Sequence, residues 1–299
     1  MSVGETAESK RVIASDLDRT LIYSRTASAL GGAAPSDLIC VEVLDGEPLS
    51  FLTATAAALL ARLAEVAVFV PTTTRTLAQL RRVELPGAPA RYAVAANGGH
   101  LVVDGVPDPD WAAQVSRVLA ETSVPIDEVW PGLVGACDPA WTLKLRRADE
   151  LFGYAVIERA AMPEAFLAEI TDWCRERGWI TSLQGRKLYF VPSRLTKSSA
   201  VREVVRRVGA ADFVAAGDSL LDAELLAAAA LGIRPAHGEL LDLGWSQPHV
   251  TVTAAAGGLA GEQIAQWLLS IALRSMPLTL STQQSPSQGP AGSQLPVPG

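Results

Sequence analysis

Short apolar runs that end in clusters of polar residues recur along this chain. The first, Arg11 to Ala14, stops at Ser15-Asp16-Leu17-Asp18-Arg19-Thr20, the pattern of a buried strand that delivers polar side chains at its carboxyl end. Gly31, Gly32 and Pro35 mark a loop, Leu38 to Val43 predicts a strand with Asp45-Gly46 as its turn, and Thr53 to Leu63 predicts an Ala/Leu helix. Val66 to Val70 repeats the opening pattern and runs into Pro71-Thr72-Thr73-Thr74-Arg75. A helix over Leu77 to Val83 leads to a strand over Tyr92 to Ala95, which stops at Asn97-Gly98-Gly99, residues suited to tight or left-handed backbone. Strand and helix in alternation specify a parallel sheet.

From about Pro107 the texture changes. Trp, Pro and charged residues become commoner, helices are predicted at Trp111 to Glu121 and Pro163 to Arg177, and strands such as Trp141 to Leu145 lie between them. This reads as an inserted α+β module. The parallel-sheet pattern is expected to resume at Lys187 to Val191, followed by a helix over Ser198 to Val208 and a strand over Phe213 to Ala216 that ends at Gly217-Asp218-Ser219. A helix over Asp222 to Ala230, short strands near Gly232 to Arg234 and His249 to Val252, and a helix over Gly261 to Leu273 complete the pattern. The expected division is 1–106 and 187–275 for the two parts of the sheet domain, 107–186 for the insert, and 276–299 for a disordered tail rich in Pro, Gln, Ser and Gly.

Composition narrows the function classes. The 299 residues are 49% hydrophobic, enough for a sizeable core, and the net charge of -7 offers no global attraction to nucleic acid or anionic lipid. No apolar run reaches the roughly 20 residues of a membrane span, and the opening MSVGETAESKR carries no apolar leader, so a soluble cytoplasmic protein is expected. Cys40, Cys137 and Cys174 have no metal or disulfide spacing and are read as small buried hydrophobes. His100, His237 and His249 match no ligand spacing and receive no catalytic role.

Four polar sites sit at element ends: Asp16 and Asp18 with Thr20, Thr73, Lys197, and Asp218 with Asp222. Each alone has a plain reading, Thr73 and Asp222 as helix caps and Lys197 as an exposed lysine. Together they are another matter, because the carboxyl ends of parallel strands converge on one sheet edge. Carboxylates suit Mg²⁺, while a hydroxyl and an ammonium suit a phosphoryl group.

The ordered set SDLDRTL, PTTTR, LTKSSA and GDSLLD resembles the four motifs of the haloacid dehalogenase (HAD) superfamily of phosphotransferases. The insert between the second and third motifs resembles the α/β cap of its sugar-phosphatase branch, which includes Cof-type, sucrose-phosphate and mannosyl-3-phosphoglycerate phosphatases, and AANGGHLVVDG resembles that branch's segment before the cap. The resemblance implies an α/β fold with a Rossmann-like parallel-sheet core and an inserted α+β cap. It implies Asp16 as nucleophile, Asp18 as acid and base, and Thr73 and Lys197 as holders of the phosphoryl oxygens. Mg²⁺ would be held by Asp16, the Asp18 carbonyl and Asp218, with Asp222 as an outer ligand or as the group that orients Lys197. Thr20, Thr74, Arg75, Asn97 and Gly98 are expected near a small phosphorylated substrate, although Asn97 serves equally well as a turn residue with positive φ.

The chain departs from the family pattern in places. Arg19 stands where many relatives have Gly, Leu221 stands where an Asn is usual, and Gly31 to Leu52 is a longer link that can form a flap. PTTTRT most resembles the second motif of the mannosyl-3-phosphoglycerate phosphatases, with Arg75 for their Lys. In the insert, Lys144, Arg146, Arg186 and Lys187 could meet an anionic substrate, a solvated face being the plainer reading, and the tryptophans are expected to pack the core. The implied activity is phosphate-ester hydrolysis of a sugar or glycosyl phosphate. A phosphomutase, a non-catalytic phospho-ligand binder on the same scaffold and a receiver-like regulatory module are the alternatives.

Overall fold

The computed structural model describes residues 11–31 and 36–274; Gly32 and Pro35 and the tail from 276 onward lie outside them. Strand β1 (Val12–Ser15) is followed by α1 (Arg25–Ser28), the hairpin β2 (Leu38–Leu44) and β3 (Glu47–Thr53), α2 (Ala54–Val66), β4 (Val68–Pro71) and α3 (Leu77–Leu80). Next come β5 (Tyr92–Ala95), β6 (His100–Val103), β7 (Val106–Pro107), α4 (Pro109–Thr122), α5 (Ile126–Ala136), β8 (Thr142–Ala148), β9 (Phe152–Ile157), α6 (Phe166–Arg175) and β10 (Trp179–Gln184). The chain continues through β11 (Lys187–Pro192), α7 (Lys197–Val208), β12 (Phe213–Ala216), α8 (Leu220–Ala228), β13 (Leu231–Arg234), α9 (Glu239–Asp242), β14 (Val250–Val252) and α10 (Gly257–Arg274).

Five strands form a parallel sheet in the order β14-β13-β12-β1-β4. Strand β1 lies inside the sheet, between β12 and β4, and is fully buried, in keeping with its apolar VIA run. Its side chains alternate between two cores. Val12 and Ala14 join the core that contains Ala200, Val201 and Val204 of α7 and Leu225 of α8, and Ile13 joins Leu60 and Leu63 of α2 with Ile264 and Leu268 of α10. Helices thus cover both sheet faces. Thr53 starts α2 by accepting the Ala56 amide on its hydroxyl, which places Ala56, Ala57, Leu60 and Leu63 on the buried stripe.

A second, antiparallel sheet in the order β10-β11-β9-β8 belongs to the inserted region, so the chain has the expected fold class. Strand β11 corrects the expectation that Lys187 to Val191 resumes the parallel sheet, because it pairs antiparallel with both β10 and β9. The cause is visible in its pattern: Lys187 and Tyr189 alternate with Leu188 and Phe190, whereas a strand covered on both faces would be apolar throughout. Helix α5 has no counterpart among the expected elements, since Pro131, Gly132 and Gly135 interrupt its sequence. Cys40 is also a correction. It is exposed on β2, while Cys137 and Cys174 are buried and burial pushes their thiols up to about 11 and about 12.

The sheets are tied by Glu239. Its carboxylate accepts from the Ser182 hydroxyl (2.6 Å) and the Leu183 amide (2.8 Å) of β10, and from the Leu220 amide (2.8 Å) at the start of α8. Asp149, in the β8–β9 turn, accepts from the Leu77 amide at 2.9 Å and faces His100 Nε2 at 3.1 Å. Replacing Glu239 by Gln turns one acceptor oxygen into a donor that meets N–H groups. The Leu183 and Leu220 amides should then exchange with deuterium on the order of tenfold faster, in hydrogen-exchange mass spectrometry, while amides of β1 and β12 are unchanged.

Candidate active site

The carboxyl ends of β1, β4 and β12 deliver Asp16, Thr73 and Asp218 to one edge of the sheet, where α7 brings Lys197 against them. Lys197 is 1% exposed, and its ammonium donates at 2.6 Å to Asp16 Oδ1 and at 2.6 Å to Asp222 Oδ1. The other Asp16 oxygen accepts from the Thr20 hydroxyl at 3.1 Å. Asp222 Oδ2 takes the Asp218 amide (3.2 Å), the Ser219 amide (3.0 Å) and the Ser219 hydroxyl (2.8 Å). Both Asp222 oxygens are therefore engaged, four bonds in all, which makes it a brace for Lys197 and for the turn before α8.

Carboxylate oxygens of Asp16, Asp218 and Asp222 lie within 4.8 Å of one another, all buried. Burial raises the Asp16 and Asp218 pKa values; Lys197 pulls that of Asp16 back, and neighbouring carboxylates push both upward. Three carboxylates around one ammonium leave negative charge in a dry pocket, and an all-oxygen donor set with that deficit suits a hard divalent cation such as Mg²⁺. The residues fit the ion. Asp16 and Asp218 have oxygens to offer, whereas Asp222 is saturated by its own hydrogen bonds.

Asp18 stands apart from that cluster. Arg75 grips it with a two-pronged contact, Nε to Oδ2 at 2.7 Å and Nη2 to Oδ1 at 2.8 Å. Burial pushes the Asp18 carboxyl up, but this fork, aided by Lys187 and Lys197, holds it below the usual carboxylate range. Arg75 Nη1 also lies 2.8 Å from Glu42 Oε2, a carboxylate with no exposed surface that accepts from Ser50 at 2.6 Å and pairs with Arg82 at 3.1 Å. The long link after β1 thus folds as the β2–β3 hairpin, and its buried Glu42 fixes the arginine that fixes Asp18.

Arg19 adopts φ 63, a left-handed conformation that costs a non-glycine residue roughly 1 kcal/mol. Its guanidinium reaches Asp218 Oδ2 at 3.3 Å, and a Cβ on Gly185 in the β10–β11 turn would come within 3.5 Å of its Nη1. His237 holds the backbone there. The Gly257 amide donates to Nδ1 at 3.2 Å, so the proton sits on Nε2 and is donated to the Arg19 carbonyl at 2.9 Å.

The structure brings Asp16, Thr20, Lys197, Asp218 and Asp222 together, with Asp18 and Arg75 alongside. Thr73 is buried and its hydroxyl accepts the Arg75 amide at 3.1 Å; Thr74 is buried beside it. Asn97 and Gly98 face the start of α7. Asn97 has φ 56 and donates through Nδ2 to the Leu195 carbonyl at 2.7 Å, and a Cβ on Gly98 would come within 2.1 Å of the Thr196 carbonyl oxygen. This close approach seats Lys197. Sequence reasoning missed Glu42, Glu239 and the bracing role of His237, and in each the partner is distant in the chain. A buried charge inside the β2 pattern was the one signal for Glu42.

No protein-family model matches the chain, and no curated protein matches it in sequence. Among solved structures it is similar to the sucrose-phosphatase from Synechocystis sp. PCC6803 in complex with sucrose and phosphate, with TM-score 0.60 and 15% identity over 87% of this chain and 98% of that one. It is also similar to the C. albicans trehalose-6-phosphate phosphatase C-terminal domain (TM-score 0.56, 12% identity, 88% and 93% covered). A HAD subclass IIB sugar phosphatase gives TM-score 0.53 and 14% identity, with 88% and 100% covered. The chain shares its fold with these phosphatases. Among the described residues, no helix is long and apolar enough to cross a membrane.

The His237 bridge carries a pH signature. Burial pushes the ring's pKa down to about 4, against the pull of its bond to the Arg19 carbonyl, while an unfolded histidine takes its proton near pH 6.5. Stability conferred by the neutral ring is whole above that value and is lost as pH falls toward 4. Chemical denaturation should show wild type losing about 2 kcal/mol more than His237→Gln between pH 7 and pH 5; equal slopes would refute the bridge.

Proposed function

We propose that this protein is a Mg²⁺-dependent phosphatase that hydrolyses a small phosphorylated metabolite, a sugar or glycosyl phosphate, through an aspartyl-phosphate on Asp16. The observation that carries this reading is the buried triad of Asp16, Lys197 and Asp222, with Lys197 at 2.6 Å from each carboxylate. It is supported by the likeness of the fold to the sucrose-phosphatase bound to sucrose and phosphate. The insert then acts as the cap over the substrate.

In this reading Asp16 attacks the phosphorus, its P–O bond forms as the bond to the leaving oxygen breaks, and that oxygen takes a proton from Asp18. A water then attacks the phosphorus, gives its proton to Asp18, and the bond to Asp16 breaks, releasing phosphate. Lys197 and the Thr73 hydroxyl offset charge on the phosphoryl oxygens, work of positioning and electrostatics. When bound at Asp16 and Asp218, Mg²⁺ lowers the repulsion between the nucleophilic carboxylate and the phosphate dianion.

The Arg75 fork bears on the order of events. With it in place Asp18 is ionised and ready to accept the water's proton, and the first step needs Asp18 protonated. Substrate oxygens that compete for Arg75 would loosen the fork and let Asp18 take up that proton. Phosphate release from sugar, glycosyl and polyol monophosphates is therefore expected with Mg²⁺ and abolished by a chelator. Asp16→Asn should lower turnover by at least about a thousandfold, as loss of a covalent nucleophile does; release at the wild-type rate would sink the reading.

A further inference from the structure

The antiparallel sheet has one covered face and one partly open face, on which Lys144, Arg146 and Lys187 are exposed while Ser182 and Tyr189 are buried. The covered face carries Leu188, Phe190 and Ala155, all buried, and the Trp130 ring of α5 lies over Gly153. Residues paired across neighbouring strands point to the same side, so the register defines the other face. Lys144, Val156 and Lys187 form one row, with Gln184 beside Lys187; Arg146, Tyr154, Tyr189 and Ser182 form the next. The open face is turned toward the candidate active site. Ser182 is bonded to Glu239, and a Cβ on Gly185 would lie 3.5 Å from Arg19 Nη1, which puts the β10–β11 turn near that guanidinium. Lys187 acts electrostatically on Asp18 and Arg75.

The charge of this face is one-sided. None of the four strands contains an Asp or Glu, in a protein whose net charge is -7. Arg147, on the covered side, is matched by Asp127 and Glu150. Among the described residues, Lys144, Arg146 and Lys187 have no carboxylate partner, although every cation at the catalytic edge has one: Lys197 with Asp16, Arg75 with Asp18, Arg19 with Asp218. Lys187 instead lies 6.0 Å from the centre of the Tyr154 ring, and Tyr154 and Tyr189 stand 5.7 Å apart between the cations. A surface that needed only solubility would pair or mix its charges. Three unmatched cations beside two aromatic rings, roofing a phosphate site, suit an organic group that is both polar and anionic.

We propose that this open face is the subsite for the leaving group and that it selects phosphomonoesters whose organic part carries a negative charge of its own over neutral sugar phosphates. This deepens the phosphatase reading and rests on it. Lys187 is the residue on which selection turns, being exposed at the start of β11, two residues from the turn that lies near Arg19. Lys144 and Arg146 extend the positive field outward along β8.

The test uses matched pairs that differ in a carboxylate for a hydroxymethyl group: glucuronic acid 1-phosphate against glucose 1-phosphate, and 3-phosphoglycerate against glycerol 3-phosphate. Binding is measured by calorimetry to the full-length Asp16→Asn protein with Mg²⁺, and phosphate release is measured with wild type. At least one anionic member should bind about tenfold or more tightly than its neutral partner, and the advantage should shrink as salt rises from about 0.05 to 0.5 M. Adding Lys187→Met should reduce the ratio to within about twofold, whereas Lys187→Arg should keep it, an outcome that damage to the fold would not give. Equal or tighter binding of both neutral members, or no binding of any, overturns the inference even if wild type releases phosphate. Selective binding without phosphate release upholds the subsite and removes the phosphatase reading.

Discussion

A lysine with 1% exposure is tolerable only if its charge is met, and Lys197 meets two carboxylates at 2.6 Å. Taking any one of these groups out of water costs several kcal/mol, and the arrangement repays this only while all of its members are in place. Much of the surrounding structure follows from that condition. Gly98 lets the backbone before α7 come close, Asn97 holds the Leu195 carbonyl, and the turn before α8 gives its amides to Asp222. The same condition explains why Asp16 can sit in a dry pocket as an ionisable group at all, since burial alone would drive it toward the neutral acid, which is a poor nucleophile.

Around this centre the charges are arranged in separate pairs. Asp18 is held by Arg75, and Arg75 by Glu42; Asp218 is approached by Arg19. Lys197 serves Asp16 and Asp222 together, while Asp18 and Asp218 each have an arginine, and these three cations come from different parts of the chain. In the proposed reaction an incoming phosphate dianion would meet ammonium and guanidinium groups already oriented, so little reorganisation would be needed when charge shifts. The cost is that these cations are engaged before substrate arrives, and an anion has to compete with protein carboxylates for them. A divalent cation between Asp16 and Asp218 would ease that competition by lowering the negative charge that Lys197 and Arg19 now serve.

The parts of this design that could be read in the sequence are those with local causes. A strand buried on both faces must be apolar, so Asp16, Thr73 and Asp218 stood out among the polar residues just beyond such runs. Helix α5 was hidden because Pro131 and two glycines erase its helical signature, and β11 was assigned to the wrong sheet although its alternation of Lys187 and Tyr189 with Leu188 and Phe190 marks a half-open strand. Glu239 and His237 were silent, and Glu42 nearly so, for another reason. Their partners lie far along the chain, 218 residues away for His237 and Arg19 and 57 for Glu239 and Ser182, and a lone charged or polar residue carries no mark of what it will meet.

Arg19 shows how a departure from a family pattern can be absorbed. A glycine would take its left-handed backbone freely, whereas an arginine adopts it at a cost of order 1 kcal/mol that must be recovered nearby. Its amide donates to the Ile22 carbonyl, its carbonyl accepts from His237, and its guanidinium spans from Asp218 to the β10–β11 turn. The last contact is one that glycine could not make. The strain therefore holds a side chain across the boundary between the two sheets, on the same side as Lys187 and next to the Glu239 bridge. The carboxylate-bearing edge of the parallel sheet and the β10–β11 turn thus lie side by side, and a change in the tilt of the antiparallel sheet would move that turn and Lys187 relative to Arg19 and Asp218.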